Sequence, residues 1–141
     1  MNQTSRLLVL TGIFFLISAK GFSQFGVSYY SSSLSKIGLG YDFNDKWKVE
    51  ARLYSNTIAE DITPELVLCY NVVSKERHNI YIGIGANINY YTGPVLPLGV
   101  EFRPLEKLDK FSLLIELQPS LDVDLHEELT LQSHWGLRYR F

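Results

Sequence analysis

From position 25 onward the chain alternates apolar and polar residues in eight separate runs, at 25–32, 35–43, 47–55, 65–73, 79–91, 97–103, 111–118 and 129–141. In the second run Ile37, Leu39, Tyr41 and Phe43 alternate with Lys36, Gly38, Gly40 and Asp42. In the last, Leu129, Leu131, Ser133, Trp135, Leu137, Tyr139 and Phe141 alternate with Thr130, Gln132, His134, Gly136, Arg138 and Arg140. A period of two is the pattern of a β-strand whose two faces meet different surroundings. No helical period of useful length competes with it over the same residues.

Between runs, three connectors are short and charged or tightly turning: "NDK", "SKERH" and "PLEKLDK". The others are "SSS", "NTIAEDIT", "TGPVLP" and "VDLHEE". The two sets alternate along the chain, so each set falls at one end of an antiparallel sheet. The expected fold is all-β, an eight-stranded antiparallel up-and-down barrel. Closure of the barrel requires the first and last strands to meet, with Arg138 and Arg140 near Ser28 and Gly26.

The first 23 residues read differently. Arg6 is followed by a mostly apolar stretch from Leu7 to Ala19, then by Gly21, Phe22 and Ser23 ahead of Gln24. Those three regions make 1–23 a secretory signal peptide, leaving 24–141 as the barrel domain. The apolar stretch is well short of the ~20 residues a spanning helix needs. Cleavage would remove Arg6 and Lys20 from the 13 basic groups and none of the 15 acids, giving a net charge near −4. That balance argues against a nucleic-acid partner, which calls for a basic patch. Cys69 is the only cysteine, so no internal disulfide holds an exported domain of this length.

Alternation alone does not say which face is inside. A soluble barrel that binds a hydrophobic ligand has its apolar face in; a membrane barrel has it out. Gly26, Gly38, Gly40, Gly83, Gly85, Gly99 and Gly136 all share the polar parity. Glycine is costly on an exposed strand face but makes room inside a narrow barrel. The apolar parity carries Phe25, Phe43, Trp47, Tyr70, Phe102, Phe111, Tyr139 and Phe141 toward the charged-turn end. Rings at one height form an interfacial girdle, with an apolar body and a polar tip each matched to its surroundings. Both features put the polar face inside.

With its alternating last strand and aromatic final residue, the segment resembles the small eight-stranded outer-membrane barrels of the OmpA/OmpX-like class. The resemblance covers residues 24–141. It implies a transmembrane barrel in contact with outer-membrane lipids. It also implies Tyr139 and Phe141 as the signal captured by the barrel assembly machinery. A structural role, or contact with another envelope protein, would then be the task.

An inward polar face makes the charges a set. Lys36, Lys48, Arg52, Arg103, Arg138 and Arg140 stand against Asp42, Glu50, Glu65, Glu101 and Glu116. Buried charges persist when paired and hydrogen-bonded. The expectation is an internal network that plugs the barrel, the alternative being an ion-selective channel. Some barrels of this size act on lipid acyl chains through a Ser/His pair. Here Ser133 and His134 are adjacent and so point to opposite faces. His126 lies beside Glu127 and Glu128, with Ser120 and Asp122 nearby, which fits a solvated loop. No metal-ligand spacing or phosphate loop occurs, so no catalytic residue, metal or cofactor is expected.

Overall fold

A computed structural model describes residues 24–55, 62–89, 92–124 and 128–141. The segment read as a signal peptide and His126 lie outside these residues. Nine strand segments follow one another: β1 (Phe25–Ser31), β2 (Lys36–Asp42), β3 (Trp47–Tyr54), β4 (Pro64–Ser74), β5 (His78–Asn87), β6 (Gly93–Val95), β7 (Leu98–Phe102), β8 (Phe111–Asp122) and β9 (Glu128–Arg140). A 3₁₀ turn at Glu106–Leu108 precedes β8, and the described residues contain no α-helix.

Sequential neighbours pair antiparallel, and β9 returns to β1. The segments β6 and β7 both lie between β5 and β8 and are two parts of one barrel strand. The result is a closed, antiparallel, eight-stranded barrel. At the seam Gly26 stands opposite Arg140 and Ser28 opposite Arg138.

Three strand boundaries differ from the alternation. The sixth run reads as starting at Pro97, but pairing begins at Gly93. Pro94 and Pro97 disguise the strand, because proline brings no N–H to a ladder. The Pro97 carbonyl still accepts from the Gly83 N–H at 2.7 Å, and the Leu96 N–H donates to Pro119 at 2.9 Å, so the chain stays in the sheet. The fifth strand stops at Asn87, short of the run to 91, and Asn89 then takes a left-handed φ of 99°. The seventh run extends past Gln118, as the continuing alternation through Leu121 and Val123 allows, and ends at Asp122. The register of β4 on β5 also shifts between Asn71 and Val73, where Val72 is an extra residue.

The polar parity points inward throughout. Glu50, Arg52, Glu116 and Arg138 are all 2% exposed or less, while Leu39 is 54% and Ile84 61% exposed. Water-soluble domains distribute these residue types the other way. Two glycines show how the charged side chains fit. A Cβ on Gly99 would run into the Tyr81 phenol, and one on Gly38 would run into the Glu50 carboxylate.

Candidate functional site

The interior network starts from register. Arg52 on β3 is the direct partner of Glu65 on β4 and of Gly38 on β2. Glu50 lies two residues earlier on the same strand and therefore on the same face. The Arg52 guanidinium donates to five side chains: Glu50, Glu65, Glu116, Gln118 and the Tyr30 hydroxyl. Its two contacts with Glu116 are both 2.8 Å, one from each terminal nitrogen. That parallel arrangement matches the planar guanidinium fork.

A second arginine completes the central cluster. Arg138 on β9 donates to Glu101 at 2.6 Å, to Ser28 at 2.9 Å, and to Tyr30 and Glu50 at 3.1 Å. The Tyr30 hydroxyl in turn donates to Glu50 at 2.8 Å. Tyr81 donates to Glu116 at 2.6 Å, and the Lys48 ammonium sits 4.6 Å from the Tyr81 ring centroid.

Two further groups lie toward the ends. Lys36 pairs with Glu65 at 3.2 Å and donates to Gln118 at 2.9 Å. Its ammonium is also 4.8 Å from the centroid of the Tyr54 ring. At the charged-turn end Arg140 pairs with Asp42 at 2.9 Å and Glu101 at 2.6 Å. Below them opens a polar vestibule of about 900 Å³, with Asn79, Lys75 and Arg77 among its lining residues.

Arg103 is the correction to the expected set. It follows β7 and donates to the Glu76 carbonyl in the 75–77 turn, away from the central carboxylates. Its N–H donates to the Arg77 carbonyl at 2.7 Å, and its side chain lines the vestibule with Arg140 and Asn79 instead of reaching the central cluster. What the alternation did not mark out were the tyrosines. Tyr30, Tyr54 and Tyr81 carry hydroxyls into the network, together with Gln118 and Ser28. Their inward parity was readable; the apolar ring concealed the role.

On the outer surface, the rings near the charged turns meet in pairs. Trp47 and Tyr70 lie 4.9 Å apart, Phe25 and Tyr41 5.0 Å, Tyr41 and Phe43 5.2 Å, and Tyr139 and Phe141 5.5 Å. Tyr41 thus joins the ring cluster read from sequence. Phe102 and Phe111 flank it on the outward parity, each half-buried. The Phe141 N–H donates to the Phe25 carbonyl at 3.0 Å, tying the last residue to β1.

Ser133 points outward and His134 is buried inside, so the two do not form a nucleophile–base pair. The His134 ring lies edge-on to Tyr30 at 6.1 Å. Ser120 donates to the Thr130 carbonyl. Among the described residues no group of three His, Cys, Asp or Glu side chains gathers as a metal site. No protein-family model and no curated protein matches this chain.

Proposed function

We propose that this chain is an integral outer-membrane β-barrel protein whose lumen is filled by its own side chains. Its role is structural, or that of an interaction element at the cell surface or within an envelope complex. The observation that carries the reading is the inverted distribution of residues. Charges occupy the interior, and Leu, Ile and Val cover the exterior of a closed barrel. In hydrocarbon such a barrel leaves no sheet edge unsatisfied and presents an apolar band to lipid. The outward rings at the charged-turn end suit one interface, and Tyr29 and Trp135 suit the other.

The plug follows from where the arginines reach. Arg52 and Glu116 stand on strands four positions apart by either route around the barrel, so their contact spans the bore. Eight strands leave an interior only wide enough for side chains. A soluble barrel that binds a hydrophobic ligand would need an apolar lining, and this interior is charged. Acyl-chain chemistry would need a nucleophile beside its base, and Ser133 and His134 face apart.

Membrane fractionation tests the main reading. The protein should resist carbonate extraction and migrate differently on gels before and after heating. Release by carbonate would overturn it. In planar bilayers the purified protein should show no steady conductance; a stable open level would overturn the plug.

A further inference from the structure

The vestibule at the charged-turn end keeps unused hydrogen-bonding capacity on its inner wall. Its volume of about 900 Å³ is at the upper end of the range for small-ligand sites, roughly 300–1,000 Å³. The turns at 43–46 and 75–77 and the connector after β7 frame it, and all lie among the described residues. Asn79 on β5 is 5% exposed, and its Oδ1 has no donor among the described residues. Arg103 holds the diagonally neighbouring position. Glu101, two residues before it, is the cross-strand partner of Asn79, and the Arg103 N–H continues the ladder to Arg77. The Arg103 guanidinium gives one nitrogen to the Glu76 carbonyl. The ion pairs of this end join Arg77 to Glu106 and Arg140 to Asp42 and Glu101, and among the described residues none reaches Arg103. Lys48, the cross-strand partner of the lining residue Asp42, is 4% exposed and has a tyrosine ring in place of an ion pair. Toward the rim, exposed Lys75 and Arg77 are matched by exposed Asp45 and Glu76. The uncompensated positive charge therefore sits on the inner wall.

We propose that this vestibule captures the C-terminal carboxylate of another protein's chain end. A carboxylate offers two acceptor oxygens side by side, which is what the guanidinium fork of Arg103 holds best. The amide N–H of the same terminal residue supplies the donor that the Asn79 Oδ1 lacks. A fully ionised phosphate brings charge but no such donor. Capture of a chain end this way is a recurring mode of peptide recognition. The rest of the segment leads out past the rim, where its side chains meet the solvated charges of both signs.

This deepens the interaction role proposed above and rests on that reading for the side of the membrane. Short turns of such barrels face the periplasm, so the partner is a periplasmic or envelope protein. The unpaired groups on the wall do not depend on it.

The test takes the protein, in detergent, from whichever cell fraction carbonate extraction leaves it in. It is titrated with a fluorescent peptide of about five residues, built of glycine, serine and a final alanine with a free carboxylate. The same peptide with a C-terminal amide serves as the comparison, and inorganic phosphate as the competitor. Expected is saturable binding, weakened on the order of tenfold by amidation and likewise by Arg103→Gln. Phosphate at the peptide's own concentration should displace little of it. Absence of saturable binding, equal binding of the amide peptide, unchanged binding by the folded Arg103→Gln protein, or ready displacement by phosphate would overturn the proposal. The amide peptide probes the unaltered protein, so the outcome does not depend on how Arg103→Gln folds. Failure of the membrane reading shows in the carbonate step, and failure of the chain-end site in the titration.

Discussion

Arg52 and Glu116 are held by two parallel 2.8 Å contacts, although they stand on opposite sides of the barrel and 64 residues apart in the chain. No local element brings them together. The pairing exists only once β3 and β8 occupy opposite walls of a closed sheet, which makes it a reporter of closure.

Breaking that pair should be more damaging than removing it. Glu116→Gln leaves the Arg52 charge buried with fewer anionic partners, and loss of one member of a buried pair costs about 3–5 kcal/mol. The double variant Arg52→Met/Glu116→Leu should recover part of that loss. Urea titration of the folded, faster-migrating gel form gives both values. If the double variant is no more stable than the single one, the pair is not the unit it resembles.

Tyr30 is the joint between the two arginines, accepting from both and donating to Glu50. Tyr30→Phe keeps the ring and removes the hydroxyl. The expected cost is about 1–3 kcal/mol, because Glu50 loses a donor and both guanidinium groups lose an acceptor. An unchanged midpoint in the same titration would mean the three neighbours satisfy one another without it.

Much of this was legible in the residues themselves. Alternation set the strands, and the parity of Gly38 and Gly99 told inside from outside. The pairing of Arg138 with Ser28 followed from closure alone. Other features needed three dimensions. Arg103 has the inward parity and lines the vestibule, but at its level of the barrel it meets the Glu76 carbonyl and not the central carboxylates, a height that parity does not encode. Strand β6 was hidden by Pro94 within it and Pro97 just after it, although the sheet still uses the Pro97 carbonyl. That Arg52 reaches Glu116 depends on which walls face each other, which period two does not encode.

Gly99 makes the fit of the interior testable. A Cβ there collides with Tyr81, the ring that donates to Glu116. Gly99→Ala should therefore cost about 1–3 kcal/mol, as overpacking does. In a Tyr81→Leu background the same change should cost measurably less, since the colliding ring is gone. Equal costs in the two backgrounds would separate Gly99 from Tyr81.

The faces themselves can be challenged at Leu39. It lies at the centre of β2, points outward, and has Val27 and Ala51 as its cross-strand partners. If that surface meets hydrocarbon near the bilayer midplane, Leu39→Arg should cost about 2–4 kcal/mol and reduce insertion. The lysine at position 36, on the inward parity, already tolerates charge because Glu65 and Gln118 hold it. Refolding into lipid vesicles, followed by the gel shift, measures the effect. Normal insertion of the Leu39→Arg protein would place this surface in water.

Substitution at Phe141 tests whether assembly and stability can be separated. Phe141 contributes one backbone bond to Phe25 and an edge-on contact with Tyr139, and it is half exposed. Phe141→Ala keeps the backbone bond and removes only the ring, so refolding into vesicles should change little. If the assembly machinery reads that ring, the same variant should accumulate unassembled in cells. Comparing the heat-modifiable fraction from cells with that from vesicles distinguishes the two. Equal loss in both settings would make the ring a packing element, and no loss in either would leave the terminal aromatic without a part in assembly.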